Sequence, residues 1–165
     1  MIRLEELERK ENFEIDKYIE FREKVKKNME HPEWLGDFTK EDLEKLIEDG
    51  NKIYVFYKDD IEVCSTMIIK ASEKDILKFG LDIDYKKTMD YGPTFVSDEY
   101  RGNNLQLQMT KYLDNYLVEN GYKYAVTTIH PDNIFSIRNV LKDDFKKVGS
   151  KEFKRGPREI YFKSF

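Results

Sequence analysis

The 165-residue sequence has one cysteine, two histidines and one tryptophan. A lone thiol, Cys64, excludes an intramolecular disulfide, and with two histidines it cannot complete the usual Cys/His zinc set, so no metal is expected. A reducing cytoplasm is the expected location. No apolar run approaches the ~20 residues needed to span a bilayer. The first residues, Met1-Ile2-Arg3-Leu4-Glu5-Glu6, lack the basic-then-apolar order of a secretory signal, and a soluble protein with no membrane partner is expected. Repeats, low-complexity tracts and long Gly/Ser/Pro linkers are also lacking, which leaves one domain over residues 1–165 as the expected organisation.

What the sequence does contain is charge and aromatic bulk. Charged residues make up 38%, yet 11 Tyr and 11 Phe supply large side chains for a core, which excludes a disordered chain. The formal net charge is −4, and a negative balance argues against sequence-blind nucleic-acid binding. Its distribution is uneven. Residues 1–50 carry −6, residues 51–100 carry −3, and residues 101–165 carry +5. The basic residues from Lys142 to Arg158 alternate with Asp143, Asp144 and Glu152 and carry no aromatic stacking motif, so no nucleic-acid partner is assigned to them.

Apolar periodicity predicts a helix from Phe13 to Met29, and Thr39-Lys40-Glu41-Asp42 opens a second one as a capping box that Gly50 closes. Lys52–Tyr57 and Glu62–Ile69 read as an antiparallel hairpin around Lys58-Asp59-Asp60. Residues 73–88 suggest only a helical turn near Asp75–Lys78. Asp90–Val96 reads as a strand that Gly92-Pro93 must bulge or split, because proline cannot donate to a ladder. Leu105, Met109, Tyr112, Leu113, Tyr116 and Leu117 form the stripe of a helix ending at Asn120-Gly121. Lys123–Ile129 is a strand, and a helix capped by Asp132 or Asn133 carries Ile134, Ile137, Val140 and Leu141. Phe145–Val148 and Glu159–Phe162 close the chain as strands. Strand, helix and strand in succession from 90 to 129 predict a parallel pair.

The stretch Val96-Ser97-Asp98-Glu99-Tyr100-Arg101-Gly102-Asn103-Asn104-Leu105-Gln106 is a strand end that becomes a helix start. Such a start exposes amides with no partner inside the helix and carries the positive end of its dipole, a geometry suited to pyrophosphate. The plainer reading is an ordinary tight turn.

These residues resemble the acetyl-CoA-binding segment of the GNAT superfamily of N-acetyltransferases, whose signature is (Gln/Arg)-x-x-Gly-x-(Gly/Ala). Arg101 stands at the first position, Asn104 where glycine is usual, and Gln106 where a small residue is usual. A second block, Thr127-Thr128-Ile129-His130-Pro131-Asp132-Asn133-Ile134-Phe135-Ser136-Ile137-Arg138 followed by Phe145, resembles the superfamily's strand-Asn-helix element, with Asp144 in place of glycine. The resemblance implies an α+β fold, with a mixed, mostly antiparallel twisted sheet of about six or seven strands and about four helices. A parallel, splayed strand pair would form the cofactor cleft.

It further implies acetyl-CoA as cofactor. Backbone groups at Phe95 and Val96 would meet the pantetheine and thioester, the amides from Arg101 through Gly102, Asn103, Asn104, Leu105 and Gln106 the pyrophosphate, and Asn133 with Ser136 the other side of the cofactor. The implied reaction is direct acetyl transfer to an amine, on a small molecule or a peptide, in a ternary complex. Only a neutral amine attacks a thioester, so a base is needed. His130 is one candidate and Asp90 the other, against the plainer readings of a turn residue and a solvated strand end. The tyrosine that many members use toward the leaving thiolate has Val140 at its position. The alternative function is a GNAT-fold ligand-binding or regulatory domain without turnover. Cys64 reads as a buried small hydrophobe, Trp34 as a packing anchor, and sharing of a sheet edge between two chains is left open.

Overall fold

The structure is a computed structural model that describes residues 1–11 and 13–165. Its described residues form a mixed α/β fold with five α-helices and eight strands, mostly antiparallel, with one parallel pair. None of its described helices is long and apolar enough to cross a membrane. The chain divides into two compact units, residues 1–67 with 93–109 and residues 68–92 with 110–165.

The first unit holds β1 (Glu8–Lys10), α1 (Ile15–Lys27), α2 (Lys40–Glu48), β2 (Lys52–Lys58) and most of β3 (Ile61–Lys70). The Thr39 hydroxyl caps α2 by accepting the Asp42 N–H at 3.1 Å, and Asp42 returns the bond to the Thr39 N–H. Asp59 and Asp60 both take positive φ, +50° and +64°. Two such residues are what a two-residue turn needs to match the twist of its strands, and the carboxamide-sized side chain of Asp tolerates the conformation. Gly92-Pro93 splits the following strand into β4 (Thr88–Tyr91) and β5 (Phe95–Val96). In this unit β5 pairs antiparallel with β3, Cys64 opposite Val96, and the Ser97 N–H extends the ladder to Val63 O at 2.8 Å. Phe95 packs against Phe21 of α1, ring centroids 5.2 Å apart. The buried Arg22 donates from Nη2 to the carbonyls of Leu35 and Gly36, each at 2.7 Å, and so fastens α1 to the segment before α2.

The second unit holds the end of β3, α3 (Glu73–Lys78), β4, most of α4 (Leu105–Glu119), β6 (Tyr124–Ile129), α5 (Ile134–Lys142), β7 (Lys146–Phe153) and β8 (Gly156–Ser164). β4 pairs antiparallel with β3 and parallel with β6, from Thr88↔Tyr124 to Asp90↔Val126. β6 pairs with β8 and β8 with β7, both antiparallel, with an irregularity between Lys147 and Gly149. Phe79, Val126 and Ile160 form a buried cluster with Leu81, Phe153 and Phe162 against it.

Several expectations need correction. The strands number eight because β1 adds a short edge and Gly92-Pro93 makes two strands of one. Residues 73–78 form a full short helix, because Ser72 and Asp75 build a second capping box. Ile134 and Leu141 are half exposed, since α5 buries Asn139 and Val140 instead. Tyr112 and Tyr116 are only half-buried, and the stripe that reaches the core is Leu105, Met109, Leu113 and Leu117.

Candidate active site

In the first unit, the residues expected to hold the cofactor fall on one continuous element, from β5 through a loop into the first turn of α4. Phe95 is buried and Val96 half-buried, and their only strand partner among the described pairings is β3. Gly102 has φ +84°, and a Cβ placed there would meet nothing within 4 Å. Asn104 has φ +56°. Asn104 is a left-handed residue directly before the helix, and asparagine is among the few side chains that accept that conformation. The first bond into α4 runs from the Gln108 N–H to Asn104 O at 3.0 Å.

The loop is braced from behind. Asn103 donates from Nδ2 to Tyr100 O at 2.9 Å and accepts the Ile2 N–H at 2.9 Å. Gln108 donates from Nε2 to Asn103 O at 2.9 Å and accepts the Leu4 N–H at 2.8 Å. Asn103 therefore spends its side chain on holding the loop. Arg101 is half exposed and pairs with Asp98 at 2.6 Å, an ion pair that an arriving phosphate must compete with.

In the second unit, Asp90 sits on β4 at the last step of the parallel pairing with β6. Its neighbour Tyr91 is buried and donates its hydroxyl to Asp114 Oδ1 of α4 at 2.6 Å. Successive strand residues point to opposite faces, so the anchoring of Tyr91 directs Asp90 to the other one. There, burial of the carboxyl, reinforced by the charge of Asp75 and opposed by that of Arg155, pushes the Asp90 pKa up to about 7. A solvated strand-end aspartate would not behave so.

His130 lies in the turn between β6 and α5, where its Nδ1 accepts the Asp132 N–H at 3.1 Å. Asn133 caps α5 by accepting the Ser136 N–H at 3.2 Å, so these two site candidates are bonded to each other. Val140 is buried. Cys64 is fully buried and burial pushes its thiol up to about 12, which removes it as a nucleophile.

Sequence reasoning missed the polar network that holds this strand. Lys163 of β8 donates to Asp114 Oδ2 at 2.7 Å and to Asp143 Oδ2 at 3.2 Å. Burial and the neighbouring Asp114 raise the Asp143 pKa, against the pull of Lys163. A charged residue on an apolar helix stripe, Asp114 between Leu113 and Leu117, was the available signal.

No protein-family model matches this sequence, and neither does any curated protein sequence. Solved structures do match in fold. An acetyltransferase of the GNAT family from Streptococcus pneumoniae superposes with a TM-score of 0.71 at 14% identity, over 96% of this chain and 99% of that one. A ribosomal-protein-alanine N-acetyltransferase from Brucella melitensis gives 0.71 at 13%, over 96% and 100%. The aminoglycoside acetyltransferase AAC(6')-Ib, in complex with coenzyme A, gives 0.72 at 15%, over 96% and 94%. At such identities the likeness establishes that this chain has the fold of the GNAT acetyltransferases.

Proposed function

We propose that this chain transfers the acetyl group of acetyl-CoA to an amine acceptor, a small molecule or a peptide, by direct attack in a ternary complex. The observation that carries the proposal is the element from Ser97 to Gln106. Gly102 and Asn104 in left-handed conformation lead into the first turn of a 15-residue helix, and open space lies over Gly102. The helix start, its dipole and the adjacent Arg101 together suit a pyrophosphate. The substitution at Asn104 fits this role, since Asn104 takes the positive φ for which glycine is usual.

Acetyl-CoA supplies, when bound, an activated thioester carbonyl. Backbone groups of Phe95 and Val96 would polarise that carbonyl. Asp90 is assigned as the base. An acceptor ammonium has an ordinary pKa near 10.4, so its proton passes to a carboxylate at about 7 over a gap of roughly three units, against more than six for an ordinary aspartate. His130 has its Nδ1 engaged in the turn and is assigned a structural role. Neighbours of the same fold support the class of reaction, among them one solved with coenzyme A.

A second reading, a GNAT-fold binding or regulatory module without turnover, is favoured by the buried Val140, which puts no hydroxyl where many members have one. Release of CoA thiol in the presence of a panel of primary amines separates the two. Amine-dependent release supports transfer, whereas tight cofactor binding with no release from any amine supports the module.

A further inference from the structure

Arg158, near the start of β8, is 3% exposed and stands opposite Lys151 of β7 in the hairpin register. Its Nη1 donates to Pro157 O at 2.8 Å, while its Nη2 is buried without a hydrogen-bond partner among the described residues. Leaving a buried cationic donor unpaired is costly, and native proteins rarely leave one without a use. Arg158 also lines a cleft of about 240 Å³, together with Pro131, Ser150, Lys151, Glu152 and Glu159.

Within this wall, no described residue satisfies Nη2 of the guanidinium. Glu159 is taken by Lys147 Nζ at 2.9 Å and by the Tyr161 hydroxyl at 2.7 Å. Lys151 donates to Lys78 O at 3.1 Å and adds a second cation. Residues 146–158 carry six Lys or Arg against one acidic residue, the exposed Glu152. The site therefore calls for an anion. The cleft is smaller than the roughly 300–1,000 Å³ that encloses a whole drug-sized ligand, so it takes one end of a molecule. With Glu152 and Glu159 in its wall it favours a single negative charge over a phosphate dianion, and a carboxylate matches the guanidinium N–H geometry.

The cleft is tied to the proposed base. Asp90, Val126 and Phe162 stand side by side on β4, β6 and β8, and Arg158 lies four residues from Phe162 on the same face of β8. Arg155, at the tip of the same hairpin, lies close enough to act on the charge of both Asp90 and Arg158. We infer that Arg158 binds a carboxylate of the acceptor, so that the substrate class is an amine that also carries a carboxylate several bonds away, such as a short peptide. The amine half of this inference rests on the acetyl-transfer proposal; the carboxylate half does not.

Two measurements on the full chain test the halves separately. Trifluoroacetate at millimolar concentration serves as a carboxylate probe read by ¹⁹F NMR. Wild type should broaden and shift its resonance, R158M should abolish the change, and E152Q, which alters only an exposed wall residue, should strengthen it. No Arg158-dependent change, with no gain in E152Q, overturns the carboxylate site. Thiol release is then compared for peptides with a free C-terminal carboxylate and their C-terminal amides. Wild type should favour the acid by about ten- to a hundredfold in kcat/KM, the worth of one charge-assisted bond, and R158M should lose that preference while still turning over the amides. Equal rates for acid and amide in wild type overturn the substrate class. Arg158-dependent trifluoroacetate binding with no turnover of any amine upholds the carboxylate site and tells against acetyl transfer.

Discussion

The backbone N–H of Ile2 donates to the side-chain oxygen of Asn103 at 2.9 Å, across 101 residues of chain. Two positions on, Leu4 makes the matching bond to Gln108 at 2.8 Å. The N-terminal segment is thereby fastened to the loop assigned to the cofactor's phosphates, and the loop's left-handed residues are held from both sides.

Asn103→Ala removes two part-buried hydrogen bonds and should cost roughly 1–2 kcal/mol in loop order. Its dissociation constant for acetyl-CoA should rise by about tenfold, with a smaller change in overall stability. Calorimetric titration alongside thermal unfolding checks this. An unchanged affinity would mean that the brace is irrelevant to the cofactor.

Asp90→Asn should lower kcat by about 10²- to 10⁴-fold, the usual worth of a general base. In wild type, activity should climb as pH rises through about 7, where Asp90 loses its proton, and the inflection should vanish in the variant. The sign for stability is opposite. A carboxyl whose folded value lies above its ordinary 3.8 contributes stability that is complete below that value and lost as pH rises through about 7. D90N should therefore be at least as stable as wild type at pH 8, by urea denaturation, while being nearly inactive.

Lys163 neutralises two carboxylates that are almost entirely covered, Asp114 and Asp143. Lys163→Met leaves them facing each other without a cation, and breaking a buried pair in this way costs about 3 kcal/mol. Because burial raises the Asp143 pKa, part of the loss should be recovered as pH falls from 8 toward 5, where that carboxyl takes up a proton. Denaturant melts of K163M across this range measure it. A variant equally unstable at both ends would show that the two acids do not repel.

Much of this architecture is legible from the amino acids because local chemistry decides it. The Thr39–Asp42 box, the Asp59-Asp60 turn, the split at Gly92-Pro93 and the Asn133 cap all form as their residue types dictate. Less legible are elements without an apolar pattern. β1 is Glu-Arg-Lys, and in β7 only Gly149 and Phe153 are partly covered, so no alternation marks either. The site divides the same way. The loop from Arg101 to Gln106 announces itself through glycine, asparagine and helix period, whereas Arg158 and Lys163 look like surface cations. Lys163 is covered by its bonds to Asp114 and Asp143, 49 and 20 residues away, which no local window contains.

Arg101 is the one side-chain cation of the loop, and its link to Asp98 at 2.6 Å is half exposed, so exchange of that carboxylate for a phosphate requires little rearrangement. Arg101→Ala should weaken acetyl-CoA binding by about tenfold, as loss of a charge-assisted bond does, and the residual affinity should lose part of its dependence on salt.

Titration of the full chain with acetyl-CoA in a calorimeter bears most directly on the central claim, since every step assigned above begins with the cofactor on the Ser97–Gln106 element. Saturable binding with one site per chain, weakened in R101A and N103A but not in D90N, is the predicted result. No heat of binding at millimolar acetyl-CoA would contradict it.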